Sequence, residues 1–487
     1  MPPTDVCDRA RQTKDARFDG LFFTGVRSTR IFCRPVCPAP APKAQNIVYF
    51  PSAAAAAAAG FRPCLRCRPE LAPGTRPADH RLGMALGLIG EGWLQESSVE
   101  ALAARVALSP RHLRRLFIER LGATPLQVHQ TQRFLLAKQL LSESTLPVTQ
   151  VALAAGFSSV RRFNDAFKAS CGAAPTAVRR RTASQPAGEL ILRLAYRPPL
   201  DFPATLARLR TWAIPGVERV TRECYERTVG DSSATGWIRI TSRPDKPELR
   251  LHAFNVEPAD VPALVRRARR MFDLDADLRS VHAMLQLDLG LARSIRRYPG
   301  LRLAGAWDGF EAAVGEMLHG TESDEARVRA AMGLIVQRWG SHRVVAPPGL
   351  ERCFPSPACL AQARLEEHTG MAPAIANVIR CLAQVVDDGA LNFRAGQVLE
   401  DFVARFVALT GAAAGCAQAV ALRAMGDPDA FPVESCAPAA LPDDWRSASP
   451  RWRPWRAYGL ALLAQELRSG AGGRGLDQRQ GALLRGG

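Results

Sequence analysis

The spacing of apolar residues changes several times along this chain of 487 residues. Up to residue 77 apolar positions come in short bursts. Asn46 to Phe50 predicts a strand, and Ser52 to Ala59 a helix with Ser52 as N-cap and Gly60 just past its end. Residues 1–17 read as a mobile arm, and Pro69 to Pro77, rich in Pro and Gly, as a linker. From 80 to 182 apolar positions recur every three or four residues, the period of an amphipathic helix. Thr182 to Gly188 reads as a second linker. From 189 to 257 apolar and polar positions alternate, which predicts strands at 190–196, 219–229, 236–240 and 249–254 and a helix from Phe202 to Trp212. Helical spacing returns from 258 to 470, broken by Gly and Pro, with segments that include 357–368, 395–409 and 414–425. The expected architecture is a multidomain α+β protein. It has a small unit at 1–76, an all-α unit at 80–182, an α+β unit at 189–258, a mostly α unit at 259–470 and a flexible tail at 471–487.

Charge refines this picture. The net charge is +18 and is unevenly placed: residues 1–183 hold 26 Lys+Arg against 12 Asp+Glu, the other 304 hold 38 against 34. Basic charge gathered at one end reads as the footprint of a phosphate-backbone partner, such as double-stranded DNA. An Arg-rich composition alone would not confine the excess to one end. No run of 18 apolar residues is free of charge, which excludes a membrane-spanning helix. Met1 to Lys14 is polar and lacks the apolar core of a secretory signal. A cytoplasmic, nucleoid-associated protein is the expectation. Eight of the 12 cysteines are scattered, as in a reducing compartment.

The other four cysteines are ordered. Cys33, Cys37, Cys64 and Cys67 fall as C-x3-C and C-x2-C, with 26 residues between the pairs. Each pair can reach one ion, and together they fill the tetrahedron that Zn²⁺ prefers. Spacing alone points first to a closed, structural zinc site. The flanking charge points further. Arg27, Arg30 and Arg34 surround Cys33, and Arg62, Arg66 and Arg68 flank the second pair. Zinc and guanidinium groups both favour thiolate over thiol, so a nucleophile would lie next to a phosphate-binding surface. Phe18-Asp19-Gly20, the run Val26 to Cys37 (VRSTRIFCRPVC) and the run Ala59 to Cys67 (AGFRPCLRC) resemble the N-terminal domain of Ada proteins. That family repairs methyl phosphotriesters in DNA by moving the methyl group onto the first cysteine of its FCRPxC motif. The resemblance implies Cys33 as methyl acceptor and zinc ligand, Cys37, Cys64 and Cys67 as the other ligands, and Arg27, Arg30, Arg34, Arg62 and Arg66 near the DNA.

Two helix-turn-helix patterns follow. In the first, Val99 to Val106 precedes a turn and Pro110 to Phe117, with Ser109 a good N-cap and Pro110 suited to the first helical position. In the second, Val148 to Phe157 precedes Ser158 to Phe167, with Gly156 ending one helix and Ser158 or Ser159 capping the next. Leu113, Leu116 and Phe117, and likewise Phe163 and Phe167, are spaced to face a core. Arg111, His112, Arg115, Arg161, Arg162 and Asn164 are left to face outward, which a recognition helix requires. A helix from Pro125 to Leu141 joins the two, and the tandem resembles the AraC-type DNA-binding domain, including Ala155-Gly156-Phe157 and Gly172-Ala173-Ala174-Pro175. Arg can read guanine and Asn adenine, or either can hold only phosphate.

Arg197-Pro198-Pro199-Leu200-Asp201, Ala306-Trp307-Asp308-Gly309-Phe310-Glu311 and Gly426 to Pro432 resemble AlkA-type DNA-3-methyladenine glycosylases over about 189–465. The resemblance implies an α+β subdomain followed by a helix-hairpin-helix subdomain that flips and excises alkylated bases. The chain departs from that family at its chemistry. The glycine-rich hairpin reads Leu409 to Ala417, keeping Gly411 but carrying Ala413 in place of the second glycine. Gly415 stands where the family has its tryptophan, and Ala419 where a pocket tyrosine is often found. The position of the catalytic aspartate is Ser435, with Glu434 one residue earlier. Two readings follow: a glycosylase-like domain with weak or no cleavage, or an enzyme in which Glu434 or Asp429 supplies the carboxylate.

The expected protein is a single-turnover methyltransferase of alkylated DNA that activates transcription, with RNA polymerase as a further partner. No Pro-Cys-His-Arg motif occurs, so the base-directed methyl acceptor of longer Ada proteins is not expected.

Overall fold

The computed structural model describes residues 1–77, 79–179, 189–230, 236–320, 324–342, 346–433 and 448–468. The expected linker at Thr182 to Gly188, the tail at 471–487, and Glu434 and Ser435 lie outside them. The first residues do not form a mobile arm. Thr4–Gln12 is a helix, and Cys7 and Ala10, three apart and so on one face, are buried with Phe22. A stripe of two residues was too short to stand out in the sequence. Tyr49 fastens the helix by donating to Asp8 and accepting from Arg11 Nε at 3.2 Å.

Four short strands follow: β1 (Phe23–Val26), β2 (Ile31–Cys33), β3 (Ile47–Phe50) and β4 (Arg62–Pro63), in sheet order β3-β1-β2-β4. Ser52 caps the helix Ala53–Ala58 by accepting from the Ala55 N–H at 3.0 Å. That helix does not stay within its own unit. Ala54 is buried in the core of the first helix-turn-helix, and Ser52 Oγ donates to the Leu121 carbonyl at 2.6 Å.

The helix-turn-helix pairs are Val99–Arg105 with Pro110–Leu121, and Val148–Ala154 with Val160–Cys171. The joining helix, Pro125–Glu143, begins with a reciprocal Thr124/Gln127 capping box. A second sheet, β5 (Glu189–Ala195), β6 (Glu218–Val220), β7 (Cys224–Val229), β8 (Gly236–Ser242) and β9 (Glu248–Phe254), has order β5-β9-β8-β7-β6 and is antiparallel throughout. The single strand expected at 219–229 is a hairpin, because Thr221 Oγ1 accepts from the Glu223 and Cys224 N–H groups and turns the chain. The segment expected at 357–368 is likewise two helices, Pro357–Ala361 and Leu365–Thr369.

The second helix-turn-helix pair and this sheet share one apolar core. Phe134, Leu141, Val151, Phe163 and Phe167 are buried in the same cluster as Leu190, Leu192, Ile238 and Leu251. A separate core holds the helical layer around Phe310, Leu382, Phe402 and Val420. Within it, Leu399–Thr410, Gly411 and Ala414–Val420 form a helix-hairpin-helix. No helix among the described residues is long and apolar enough to cross a membrane.

Candidate metal centre and nucleic-acid interface

Strand pairing assembles the cysteines. β2 and β4 run parallel, with Ile31 opposite Arg62 and Phe32 opposite Pro63. The Cys64 N–H donates to the Phe32 carbonyl at 2.9 Å, which sets Cys64 beside Cys33 at the strand ends. Phe23, Phe32, Phe50 and Phe61 pack edge to face behind the strands. Gly25 sits among them, where a Cβ would fall 2.6–2.9 Å from Phe50, Phe61 and Val48. Two short turns bring in the partners: the Cys37 N–H donates to the Arg34 carbonyl (3.2 Å), and the Arg66 N–H to Cys64 Sγ (3.4 Å).

The four sulfurs all lie within 4.8 Å of one another. A tetrahedral Zn²⁺ with bonds of about 2.3 Å separates its sulfurs by roughly 3.8 Å, so the cluster fits that ion. Electrostatics point the same way. Hydrogen bonding with Cys37 and then Cys64 pushes the Cys33 thiol well above its ordinary value. Sulfurs in such contact need a dication before all four can ionise. Exposure is unequal: Cys64 and Cys67 are buried, whereas Cys33 and Cys37 keep part of their surface open.

The surrounding arginines divide into two groups. Arg27, Arg30, Arg62 and Arg66 are exposed. Arg30 adopts a left-handed backbone (φ 53°) and lays its guanidinium 5.3 Å from the Phe61 ring centroid. Arg34 turns inward, pairs with the buried Asp19 carboxylate (Nε to Oδ1 2.9 Å) and donates to the Cys67 carbonyl at 3.1 Å. Its backbone N–H donates to Cys67 Sγ at 3.3 Å, which favours the thiolate. Arg34 therefore organises the sulfur loop rather than facing solvent. Arg68, next to Cys67, is also buried and pairs with Glu70 (3.1 Å) and Glu143 (3.0 Å). Asp19 could be suspected from its motif; nothing local in the sequence marks Glu70 or Glu143.

Ser109 and Ser159 cap the two candidate recognition helices, accepting from the His112 and Arg162 N–H groups. Leu113, Phe117, Phe163 and Phe167 are buried beneath them. Arg111, His112, Arg115, Arg161, Arg162 and Asn164 are exposed, and Arg115 makes only a long surface pair with Glu119 (3.8 Å). The metal unit lies beside the second recognition helix. A Cβ added at Gly172, its left-handed C-cap, would fall 2.2 Å from an Arg62 guanidinium nitrogen.

The helical layer presents Gly411 at φ 72° as the exposed C-cap between the hairpin helices. Asp429 is bound by Arg456 through two bonds of 2.9 Å, with Arg453 at 3.5 Å. Glu316 is buried and pairs with Arg423 (2.8 Å), whose guanidinium stacks 3.9 Å from the Trp212 ring centroid. Burial and the Glu316 charge push the Cys416 thiol up to about 12, so it remains protonated.

Three family models match the chain: the metal binding domain of Ada over 6–70, a helix-turn-helix domain over 102–181, and the AlkA N-terminal domain over 191–308. A Mycobacterium tuberculosis protein named probable bifunctional transcriptional activator/DNA repair enzyme AlkA is 35% identical over 475 residues, 94% of this chain and 95% of its own. The Escherichia coli bifunctional transcriptional activator/DNA repair enzyme Ada is 40% identical over 146 residues, 30% of this chain and 40% of its own. DNA-3-methyladenine glycosylase 2 of the same species is 28% identical over 277 residues, 55% of this chain and 94% of its own.

Proposed function

The chain belongs to the family of bifunctional Ada/AlkA transcriptional activator and DNA repair proteins, and from that premise we propose that it takes the methyl group of a DNA methyl phosphotriester onto Cys33. The observation that carries this reading is the unequal exposure of the sulfur cluster, with Cys33, like Cys37, partly exposed and placed at the end of β2 amid exposed Arg27, Arg30, Arg62 and Arg66. Those arginines hold the backbone phosphates by charge. Bound Zn²⁺ would keep the four sulfurs as thiolates at neutral pH. Cys33 Sγ supplies the electron pair for a new S–C bond. The methyl C–O bond breaks, and its pair stays on the phosphate oxygen as an ordinary phosphodiester. The thioether is stable, so each protein acts once.

The charge of the site changes from −2 to −1 in this step. Repulsion from DNA phosphates falls, which strengthens binding through the two helix-turn-helix units and so signals damage to the promoter, where RNA polymerase is engaged. A Cys33→Ser variant tests this. Wild-type protein incubated with methylated DNA should gain one methyl mass on the Cys33 peptide and bind its operator more tightly; the variant should do neither. Unmodified Cys33 in the wild type would reduce the site to a structural staple.

The C-terminal module is proposed to cleave bases weakly or not at all. Its support is the loss of the hairpin glycine at Ala413, the small residues at Gly415 and Ala419, and the engagement of Asp429 by Arg456. The alternative, a bifunctional enzyme using Glu434, is decided by release of methylated bases from alkylated duplex DNA. Release abolished by Glu434→Gln would establish it.

A further inference from the structure

The region from β5 onward reaches back into both preceding units with two arginines. Arg193 Nε pairs with Glu143 at 2.6 Å, at the end of the helix that joins the helix-turn-helix pairs. Arg197 is 2% exposed, and among the described residues its hydrogen bonds go to backbone carbonyls. Its acceptors are Asp19 (3.1 Å), Gly74 (2.7 Å), Ala276 (3.3 Å) and Asp275. Two of those carbonyls belong to the metal unit. The segment around Asp275 and Ala276, from Asp273 to Arg279, holds that unit elsewhere. Asp275 Oδ1 accepts from the Gly74 N–H at 2.7 Å, Asp273 pairs with Arg76 at 3.2 Å, and the Arg279 guanidinium lies 4.1 Å from the Phe18 ring centroid.

The contact leads to the sulfurs. Arg197 fixes the Asp19 backbone, the Asp19 carboxylate fixes Arg34, and Arg34 fixes Cys67 at both Sγ and carbonyl. A buried guanidinium with four carbonyl acceptors is worth its desolvation only if those acceptors stay in place. We propose that the C-terminal module is the mount of the sulfur site, and that Arg197 is a positioning residue for the Cys67 loop, acting through Asp19 and Arg34. Its consequence for methyl transfer rests on the reading of Cys33 given above; the docking itself does not. The module thus has a structural reason to remain fused even where its base chemistry is lost.

The test compares full-length, zinc-loaded wild type with Arg197→Lys and Gly74→Val, without DNA. Lysine keeps the charge but not the planar fork. A side chain at Gly74 attacks the contact from the other side, because a Cβ there meets Asp275 Oδ1 at 2.9 Å. Two readouts are taken: amide hydrogen exchange by mass spectrometry, and zinc release to a chromogenic chelator. In both variants exchange at 16–22 and 71–76 should rise about ten-fold, the loss of one charge-assisted hydrogen bond. Zinc should leave faster, with protection of β5–β9 unchanged. Wild-type exchange and release rates in both variants would overturn the proposal. If Arg197→Lys also loosens β5–β9, Gly74→Val decides: a local rise supports the mount, and none refutes it. A wild type that accepts no methyl on Cys33 would remove the proposed function and leave this result standing.

Discussion

Arg68 is the residue whose removal should be felt most widely, and the structure allows the cost to be worked out. Its guanidinium joins Glu70 at 3.1 Å, Glu143 at 3.0 Å and Ser142 Oγ at 2.6 Å. The two carboxylates are 0% and 4% exposed. Arg68→Met keeps the stem and deletes the charge. Each carboxylate retains one cation, Lys138 at 2.5 Å for Glu70 and Arg193 for Glu143. The penalty should therefore sit near the low end for a broken buried ion pair, about 3 kcal/mol. It should also depend on pH. Burial outweighs the nearby arginine and pushes the Glu143 carboxyl from 4.5 up to about 7. The native state then binds this proton more tightly than the unfolded chain. The stability it contributes is complete below the ordinary value and is lost as pH rises through about 7. Without Arg68 the carboxyl rises further, so the loss steepens. Urea unfolding followed by circular dichroism at pH 6 and pH 8 is the assay. The Arg68→Met penalty should be larger at pH 8 by about 1 kcal/mol, and that difference should vanish in a Glu143→Gln background. A penalty below about 0.5 kcal/mol, or one equal at both pH values and in both backgrounds, would refute the reasoning.

Three further outcomes are expected. Asp429→Asn should leave any base release unchanged, since its carboxylate is engaged by Arg456, yet lower stability by about 2 kcal/mol in a urea melt; lost release at unchanged stability would make Asp429 catalytic. Arg111→Ala and Arg161→Ala should weaken operator binding and each reduce the slope of log affinity against log salt by about 1, with melting unaltered; an unchanged slope would place these side chains off the DNA. Stripping zinc with a chelator should erase exchange protection in β1–β4 while β5–β9 keep theirs; retained protection would show that the aromatic core behind the sulfurs holds alone.

What could be read from the sequence was local. Ser52 and Ser109 cap the helices their positions announce, and Ser159 is the one of the two candidate serines that caps the last, because an N-cap involves only the next three residues. Each cysteine pair was legible for the same reason, and one ion then joins the pairs. Contacts between distant residues were not legible. β4 is two residues long and carries no alternation, yet its parallel pairing with β2 builds the site. Arg34 carries the same charge as nearby Arg27 and Arg30, and the positions of Asp19 and the Cys67 carbonyl in space turn it inward. Glu70 meets Lys138 across 68 residues, and Arg197 meets Asp19 across 178, distances over which no periodicity carries information.

The dependence of the sulfur loop on Arg197 also imposes an order in time. During synthesis the N-terminal segments leave the ribosome first and fold as units. The four cysteines are therefore all available long before Arg193 and Arg197 emerge, and β5 cannot join its sheet until β9 follows, with Ile191 opposite His252. For that interval the Asp19 and Gly74 carbonyls are satisfied by water, and Glu143 is held by Arg68 and Gln139 without Arg193. A nascent chain can thus carry a loaded acceptor before that acceptor is held in its final register, so a strand that pairs late completes a site whose ligands were made well before it.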